Sequence, residues 1–317
     1  MLEKLKYILI ISLLLLSGCS VNNNEGMDRP FEVELIVSRE FGSEILFEKT
    51  VLVEAGETVL DILEKNLEVE ASTGGFVKAI NGLSSSIESE SGKDWFYYVN
   101  GIASNCSSKA YHLKKGDKLL WDYHQWNGNS FIPAIIGAYP EPFVNGFKGM
   151  TKGTRIYYSE GNKNEALKIK QSLANLKAQN IIEEPLPEKI KVAAGYPCIL
   201  VGEYANLIKN KSVTALLSDG ESRGMPVRFG KGEISLLNCA GSVEDVCDSK
   251  TGIVFAIANS LGDTAPVWVV TSLEHKGIEA LTDLIFSKPE SIEGYYGIAY
   301  KGKLQRLPCV RSIGGKQ

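Results

Sequence analysis

The chain has 317 residues, of which 44% are hydrophobic and 23% are charged, and its net charge is −4. These proportions are typical of a soluble globular protein, and the length suggests two domains. A protein that binds nucleic acid is expected to carry a basic patch, so the charge balance argues against a nucleic-acid partner.

The N-terminus carries the features of a secreted, lipid-anchored protein. The apolar run YILIISLLLL follows two lysines and is too short for a permanent membrane helix. The next residues, LSGC, resemble the bacterial lipobox, in which the cysteine becomes the lipidated first residue of the mature chain. We therefore predict a lipoprotein signal over residues 1–19, an anchor to the cell membrane through Cys19, and an extracytoplasmic location.

Residues 20–30 are polar and show no periodicity, which predicts a tether that holds the fold away from the membrane. Two globular segments follow the tether. The pattern of elements changes at a Gly- and Pro-rich stretch, so the first domain is predicted over residues 31–127 and the second over residues 128–317.

The first domain begins with a predicted hairpin. FEVELIVSRE alternates as a strand does, and ILFEKTVLVEAGE is its expected partner. A helix is predicted to start at Thr58, with apolar residues at Val59, Ile62 and Leu63. The strands GGFVKAINGL and DWFYYVNGI then end near Asn-Gly turns, and KLLWDYHQW closes the segment. A hairpin, a helix and further strands in this order predict a β-grasp domain.

The strand WFYYV has aromatic side chains on both faces. Because side chains alternate along a strand, Trp95 and Tyr97 share one face while Phe96 and Tyr98 share the other. One face is expected to pack on the core of the domain. The other face is expected to meet a large flat ligand or the second domain.

Four segments of the first domain resemble a known family in their order and spacing: VEAGETVLDIL, GGFVKAINGL, DWFYYVNG and AYHLKKGDKLLWDY. The resemblance is to the C-terminal domain of transcobalamin and intrinsic factor and to bacterial transcobalamin-like domains. In the animal proteins this domain covers one side of a corrin ring. The resemblance therefore implies cobalamin or a related corrinoid as a bound ligand.

The resemblance also implies a set of ligand-binding positions, which are Gly75, Phe76, Val77, Trp95, Tyr97, Tyr111 and His112. Core packing is the alternative interpretation for the aromatic members of this set. His112 is in addition a candidate ligand of cobalt, because a neutral imidazole nitrogen binds metals well. No protein-held metal site is predicted.

Six cysteines are present, and removal of Cys19 leaves an odd number, which cannot pair completely. Cys239 and Cys247 flank the turn-like stretch AGSVEDV. They are therefore predicted to form a disulfide.

The second domain alternates strands and helices. The runs CILVG and VWVVTS carry apolar side chains on both faces, as buried central strands do. This pattern predicts an α/β domain with a mainly parallel sheet. The chain as a whole is therefore predicted to be α+β, with an N-terminal β-grasp domain and a C-terminal α/β domain.

One catalytic motif is matched literally but not in context. GESRG fits G-x-S-x-G with Ser222 as the nucleophile, yet a nucleophile elbow needs a helix after the serine, and Pro226 predicts an extended segment. His275 is the only histidine downstream. We therefore predict that the chain is not an enzyme and holds no catalytic cofactor.

These observations predict a surface lipoprotein that binds a corrinoid in the cleft between its two domains and delivers it to a membrane importer. The alternative is a cell-surface interaction or adhesion protein in which the β-grasp domain is only a structural module. The aromatic side chains distinguish the two: convergence on an open cleft favours binding, and burial in a core favours the alternative.

Overall fold

The computed structural model describes residues 29–86, 92–126 and 131–310. The predicted signal with Cys19, and all but the last two residues of the predicted tether, lie outside these ranges. Within them, no helix is long and apolar enough to cross a membrane.

The N-terminal half is mostly β-structure. In chain order its elements are β1 (Phe31–Arg39), β2 (Glu44–Val53), α1 (Val59–Asn66), β3 (Val69–Ala71), β4 (Val77–Ile80), β5 (Leu83–Ser84), β6 (Lys93–Val99), β7 (Ile102–Ala103) and β8 (Lys118–Gln125). Five of these strands form one sheet in the order β2-β1-β8-β6-β7. β1 and β8 are parallel, and the other neighbours are antiparallel.

Helix α1 begins directly after Thr58, as the sequence predicted. The Thr58 side chain accepts a hydrogen bond from the backbone N–H of Asp61, and the Asp61 carboxylate accepts one from the backbone N–H of Thr58. This reciprocal pair satisfies two N–H groups that the first turn of a helix leaves free. The apolar side of the helix, including Ile62 and Leu63, is buried against the five-stranded sheet.

A buried connector joins the two halves. Its Gly- and Pro-rich sequence contains a short 3₁₀ turn at Phe147–Gly149, and its apolar side chains, including Ile135, Ile136 and Phe143, have almost no exposed surface. The predicted domain boundary at 127 and 128 lies outside the described residues. One continuous cluster of buried side chains runs from the first sheet through this connector to the second half.

The C-terminal half has further strands and four helices within the described residues. In chain order they are β9 (Thr154–Tyr158), α2 (Lys163–Asn175), β10 (Ile181–Pro185), β11 (Cys198–Glu203), α3 (Tyr204–Leu207), α4 (Lys211–Leu217), β12 (Val227–Phe229), β13 (Glu233–Leu237), β14 (Val243–Asp248), β15 (Gly252–Ile257), β16 (Val267–Ser272), α5 (His275–Ile285), β17 (Gly297–Tyr300) and β18 (Leu304–Leu307).

Seven of these strands form a mixed sheet in the order β10-β9-β11-β16-β15-β17-β18. The pairs from β10 to β16 are parallel, and the pairs from β16 to β18 are antiparallel. The prediction of a mainly parallel sheet is therefore corrected to a sheet that is parallel in one half only. The two runs CILVG and VWVVTS do lie in neighbouring, fully buried strands, β11 and β16. The fold as a whole is α+β.

The two faces of this sheet have different covers. Helices α2 and α5 lie on one face, where their apolar side chains share a cluster with Ile156, Ile199 and Trp268. Helices α3 and α4 and a small antiparallel sheet of β12, β13 and β14 lie on the other, around Tyr157 and Leu200.

Candidate functional site

The first face of WFYYV is part of the core of the N-terminal half. Trp95 lies opposite Tyr123 and Tyr97 lies opposite Trp121, with ring centroids 5.1 and 5.0 Å apart. The Trp95 Nε1–H donates to the carbonyl oxygen of Leu83 at 2.9 Å, and the Tyr97 hydroxyl donates to that of Cys106 at 2.5 Å. Both polar groups are therefore satisfied inside the protein, where Trp95 is buried and Tyr97 is half-buried.

The second face of WFYYV is covered by the connector and by the C-terminal half. The Tyr98 hydroxyl donates to the carbonyl oxygen of Ile132 at 3.0 Å. Its ring meets Tyr296 edge to face at 5.4 Å, and both tyrosines are buried. This face was expected to meet either a large flat ligand or the second domain, and in the structure it packs against the second domain.

His124 also lies in this interface and is buried. Its ring is stacked between those of Phe41 and Phe96, at centroid distances of 4.4 and 4.5 Å. Its Nδ1 lies 2.7 Å from the carboxylate of Asp122, which is fully buried.

Asp122 is the polar centre of the interface and was missed by the sequence analysis. Its carboxylate accepts hydrogen bonds from the Ser38 hydroxyl and from the backbone N–H groups of Phe41 and Gly42, the latter two at 3.0 Å. Its alternation with His124 in WDYHQ places both residues on the second face of β8. That spacing was the available signal, because a carboxylate on a buried face needs such partners.

Gly75 and Phe76 lie on a hydrogen-bonded edge of the N-terminal half. The carbonyl oxygen of Gly75 accepts from the Ser108 hydroxyl at 2.6 Å, and that of Gly74 accepts from the Ser107 hydroxyl at 2.5 Å. Gly75 has φ +83°, and a Cβ there would lie 2.3 Å from the Ser107 Oγ, so only glycine fits. Phe76, by contrast, is 40% exposed.

His112 lies on the same edge, where it forms a β-bridge with Thr58. The edge is continuous, because Leu60 in the first turn of α1 donates to the carbonyl oxygen of Ser108. The His112 Nδ1 lies 2.8 Å from the carbonyl oxygen of Gly56. A carbonyl can only accept, so Nδ1 carries the proton and Nε2 carries the lone pair. The residues 73–76, 107–109 and His112 are called the Phe76 rim below.

The remaining predicted positions belong to the core of the N-terminal half or pack against it. Val77 and Tyr111 are buried in the core, and the Tyr111 hydroxyl accepts a hydrogen bond from the backbone N–H of Lys148 at 3.1 Å. The structure thus leaves Phe76 and His112 exposed, and a chain of backbone and side-chain hydrogen bonds through Ser108 and the start of α1 connects the segments that carry them. Val77, Trp95 and Tyr111 belong to the core of the N-terminal half, and Tyr97 packs against that core.

A separate cavity of about 370 Å³ lies between the two halves. Phe41 and Gln125 line it on one side, and Asn238, Cys239 and Cys309 line it on the other. None of the seven predicted ligand-binding residues lines this cavity. The cavity between the two halves and the predicted ligand-binding residues therefore lie in different places.

The predicted disulfide between Cys239 and Cys247 is wrong. All five cysteines in the described residues are free thiols. Cys247 lies opposite Ile234 in the pairing of β13 with β14, whereas Cys239 lies beyond the other end of β13. Five positions of extended strand correspond to about 16 Å, and a disulfide needs Cα atoms within about 7 Å.

Ser222 and His275 are held in separate environments. Ser222 lies in the 3₁₀ turn Gly220–Arg223, preceded by a helix and followed by β12, and its hydroxyl donates to the carbonyl oxygen of Asp219. His275 is hydrogen bonded to Asn162. GESRG therefore lacks the strand that must precede a nucleophile elbow.

Three carboxylates meet beside the interface. Glu34, Glu48 and Glu293 have oxygen atoms within 4.8 Å of one another, and the Lys118 ammonium lies 2.9 Å from Glu34 and 3.6 Å from Glu293. A hydrogen bond with Glu34, together with burial, raises the pKa of Glu293 to about 7. Burial also acts on Glu34, but its hydrogen bonds to Glu293 and Lys118 hold its pKa below the usual value.

Comparisons with known proteins concern the N-terminal half. Residues 56–125 match the family model described as "Domain of unknown function (DUF4430)", a stretch that contains all seven predicted ligand-binding residues. Haptocorrin in complex with Cbi is similar over 35% of this chain, at 19% identity and a TM-score of 0.27, and the similarity spans 29% of the haptocorrin chain.

A protein from Ruminococcus gnavus ATCC 29149 that is described as metal binding is similar over 30% of this chain and 98% of its own, at 14% identity and a TM-score of 0.25. No curated protein matches the chain. Neither structural similarity assigns a ligand to this chain. The comparisons show a match of residues 56–125 to the DUF4430 family model.

Proposed function

We propose that the chain is an extracytoplasmic, lipid-anchored binding protein whose ligand is cobalamin or a related corrinoid, held at the Phe76 rim. The ordered transcobalamin-like segments of the sequence support this ligand. The strand order β2-β1-β8-β6-β7, with a helix after the first hairpin, supports the β-grasp interpretation of the N-terminal half. The role is binding and transfer, without catalysis.

The observation that carries the proposal is the exposure of Phe76 between two buried neighbours. Gly75 and Val77 are buried, so the backbone is fixed while the ring of Phe76 projects from it. A flat macrocycle can cover such a ring, and the apolar area removed from water stabilises the complex by about 25 cal/mol per Å². The rim is held by hydrogen bonds before any ligand arrives, which lowers the entropy cost of binding.

His112 adds a group with affinity for the central metal of a corrinoid. It is exposed, and its Nδ1–H bond to Gly56 directs the lone pair to Nε2. A backbone carbonyl that fixes the tautomer is the usual partner of a metal-binding histidine. His112 is therefore the residue that would reach cobalt.

The proposed site differs from the predicted cleft. The cavity between the halves, about 370 Å³, is near the lower limit for a drug-sized ligand, and a corrin is larger. A corrinoid on the rim would keep its other side open. That open side could be contacted by the membrane importer to which the ligand is delivered.

The test is an absorbance titration of the purified chain from Ser20 to Gln317 with two cobalamins. One carries an exchangeable axial water on cobalt and the other carries cyanide. Phe76→Ala should weaken binding of both by about tenfold or more, because it removes apolar contact area. His112→Ala should abolish only the spectral change of the aquo form. Leu52→Ala, at a side chain that is 62% exposed on β2, is the matched control.

Saturable binding that both rim substitutions leave unchanged would place the corrinoid elsewhere. The absence of any spectral change or heat with either cobalamin at about 100 μM protein, where micromolar affinity would be visible, would reject the ligand itself.

The lipid anchor has its own experiment. Cys19→Ala should prevent lipidation, so the chain should move from the membrane fraction to the soluble fraction of lysed cells. Unchanged membrane attachment and unchanged processing of that variant would contradict the anchor.

One observation favours the alternative of a surface interaction protein. Strand β2 forms an edge of the five-stranded sheet, and Ile45, Leu46 and Leu52 on it are exposed. An edge strand with apolar side chains is a template for strand addition by a partner, and a lysine there usually blocks it. If the chain mediates adhesion this way, cells that display it should clump, and cells that display Leu52→Lys should not.

A further inference from the structure

The stretch GESRG lies in the wall of a cavity in the C-terminal half. The cavity has a volume of about 440 Å³, which is within the usual range of small-molecule sites. Its lining comes from Tyr204 at the start of α3, the end of α4, the 3₁₀ turn Gly220–Arg223 and β12. The motif that lacks the context of a nucleophile elbow is therefore part of a candidate binding site.

Two aromatic side chains form part of the cavity wall. The rings of Tyr204 and Phe229 are stacked, with centroids 3.9 Å apart and an angle of 16° between their planes. This contact joins the start of α3 to the end of β12, and both residues are half-buried. Aromatic rings offer apolar area to a ligand, and the negative charge on their faces attracts a cation.

Buried apolar side chains form another part of the lining. Leu217, Met225 and Val227 line the cavity, and each is 9% exposed or less. The backbone N–H of Met225 donates to the carbonyl oxygen of Gly220 at 2.8 Å, which ties the segment before β12 to the 3₁₀ turn. A ligand with an apolar part is therefore favoured, because the cavity removes that part from water.

Arg228, the basic residue of the lining, is already paired. Its guanidinium donates to both carboxylate oxygens of Glu221, through Nε to Oε1 and through Nη2 to Oε2, the latter at 2.7 Å. The same Nη2 donates to the carbonyl oxygen of Gly241 at 3.0 Å. A bidentate pair of this kind has a fixed geometry, so the charge of Arg228 is compensated within the protein.

The Asp219 carboxylate, by contrast, remains unpaired in the lining. It takes part in no hydrogen bond or ion pair with the residues that the structure describes, and it does not cap the 3₁₀ turn that follows it. Arg223, in the same turn, donates to the carbonyl oxygen of Leu216 and does not line the cavity. The lining therefore has one uncompensated negative charge, which attracts a cation.

Two hydroxyl groups accompany this carboxylate in the lining. The Tyr204 hydroxyl has no hydrogen-bond partner in the described part of the chain, and the Ser222 hydroxyl donates to the backbone carbonyl oxygen of Asp219 at 2.8 Å. Both hydroxyl oxygens can still accept a hydrogen bond. An ammonium group only donates, so a carboxylate and two hydroxyl oxygens match its requirements.

We propose that this cavity is a second binding site, which takes a small organic amine in its ammonium form. The Asp219 carboxylate binds the ammonium group, and the stacked rings of Tyr204 and Phe229 contact the apolar part of the molecule. GESRG then serves as a binding turn, in which Glu221 holds Arg228. The site does not depend on the Phe76 rim or on a corrinoid, and it gives the C-terminal half a binding role of its own.

The test is calorimetric titration of the chain from Ser20 to Gln317 with probes that share a phenyl ring and differ in charge. Phenethylamine is a cation at about pH 7, 2-phenylethanol is neutral and phenylacetate is an anion. We expect saturable heat with phenethylamine, an affinity at least about tenfold lower for 2-phenylethanol, and no binding of phenylacetate.

Two substitutions locate the bound amine. Asp219→Asn should lower the affinity for phenethylamine by about tenfold, to near that of 2-phenylethanol, because it removes the charge. Tyr204→Ala should lower the affinity for the amine and the alcohol alike, because both lose contact with the ring. Glu279→Gln, the same change of charge at an exposed residue of α5 on the opposite face of the sheet, should bind as the wild type does.

The proposal is overturned if phenethylamine gives no saturable heat at about 10 mM, a concentration that reveals millimolar affinity. Equal binding of the cation, the alcohol and the anion would also overturn it, as would equal weakening by Asp219→Asn and Glu279→Gln. Unchanged binding in Tyr204→Ala would place the amine outside this cavity. Circular dichroism checks that each variant is folded, and Tyr204→Leu, which keeps an apolar side chain, replaces Tyr204→Ala if that variant unfolds.

Discussion

Tyr98 of β6 and Tyr296 of the C-terminal half meet edge to face, with ring centroids 5.4 Å apart, and both are fully enclosed. This contact closes the second face of the strand WFYYV. It links the stability of the N-terminal sheet to the presence of the C-terminal half, and it removes that face from any ligand.

Tyr98→Ala should therefore lower the free energy of unfolding by about 3–5 kcal/mol, since it empties a large buried volume. Tyr98→Phe keeps the ring and loses the hydrogen bond to Ile132, so it should cost only about 1 kcal/mol. Denaturant unfolding of the chain from Ser20 to Gln317 measures both. Phe76→Ala, at an exposed ring, is the control, and an equal loss in that variant would contradict the packing described for Tyr98.

Asp122→Asn should destabilise the fold although it preserves the shape of the side chain. The Asp122 carboxylate accepts hydrogen bonds from the Ser38 hydroxyl and from two backbone N–H groups. The side-chain nitrogen of asparagine can only donate, so it would face one of these donors and lose that hydrogen bond. We expect a loss of about 2 to 4 kcal/mol in denaturant unfolding. Asp283→Asn, whose carboxylate is exposed and paired with Lys168, should change stability by less than about 1 kcal/mol.

The carboxyl pair of Glu34 and Glu293 should make stability depend on pH. The pKa of Glu293 is about 7 in the fold and 4.5 in its usual state. Between these values the folded chain binds more protons than the unfolded chain, so this pair makes stability fall as pH rises from about 4.5 to 7. The negative charge of Glu48 also raises the pKa of Glu293, and the positive charge of Lys118 lowers it.

Glu293→Gln should flatten this part of the pH profile of the unfolding midpoint. Glu290→Gln, at an exposed residue of the 3₁₀ turn Pro289–Ile292 that precedes Glu293, should leave it unchanged. A profile with the same slope in wild type and Glu293→Gln would show that the pair does not titrate in this window.

The five thiols should all be available to an alkylating reagent after unfolding without reductant. In the folded chain Cys198 should be protected, because it is fully buried and burial raises the pKa of its thiol. Cys239 and Cys247 are half-buried and should react sooner. Mass spectrometry counts the additions, and three instead of five would show that two of these cysteines form a disulfide.

The N-terminal half was largely predictable from its local patterns. Strand alternation and the capping pair at Thr58 and Asp61 depend on neighbours in sequence, and those elements lie where they were expected. The direction of β15 against β16 was not predicted, because a strand buried on both faces has the same apolar run in either direction. The signal lay in the connection 258–266, which is short and turn-rich and therefore favours an antiparallel pair.

The candidate site was predicted only in part for a related reason. Alternation assigns Trp95 and Tyr97 to one face of β6, but it does not say which face is covered. When both faces are aromatic, only the tertiary contacts decide. Phe76 and His112 are exposed, whereas their neighbours Gly75 and Tyr111 are buried and hydrogen bonded to Ser108 and Lys148, respectively.

The covered face of the first sheet has a consequence for modularity. A fragment cut after β8 would present Phe96, Tyr98 and Leu120 to water, together with a carboxylate and an imidazole that face the interface in the whole chain. Such a fragment is expected to aggregate or to recruit another cover. The first sheet can therefore be transferred to another protein only together with the segments that cover its second face. A variant of the sheet that is stable alone should carry polar side chains at Phe96, Tyr98 and Leu120.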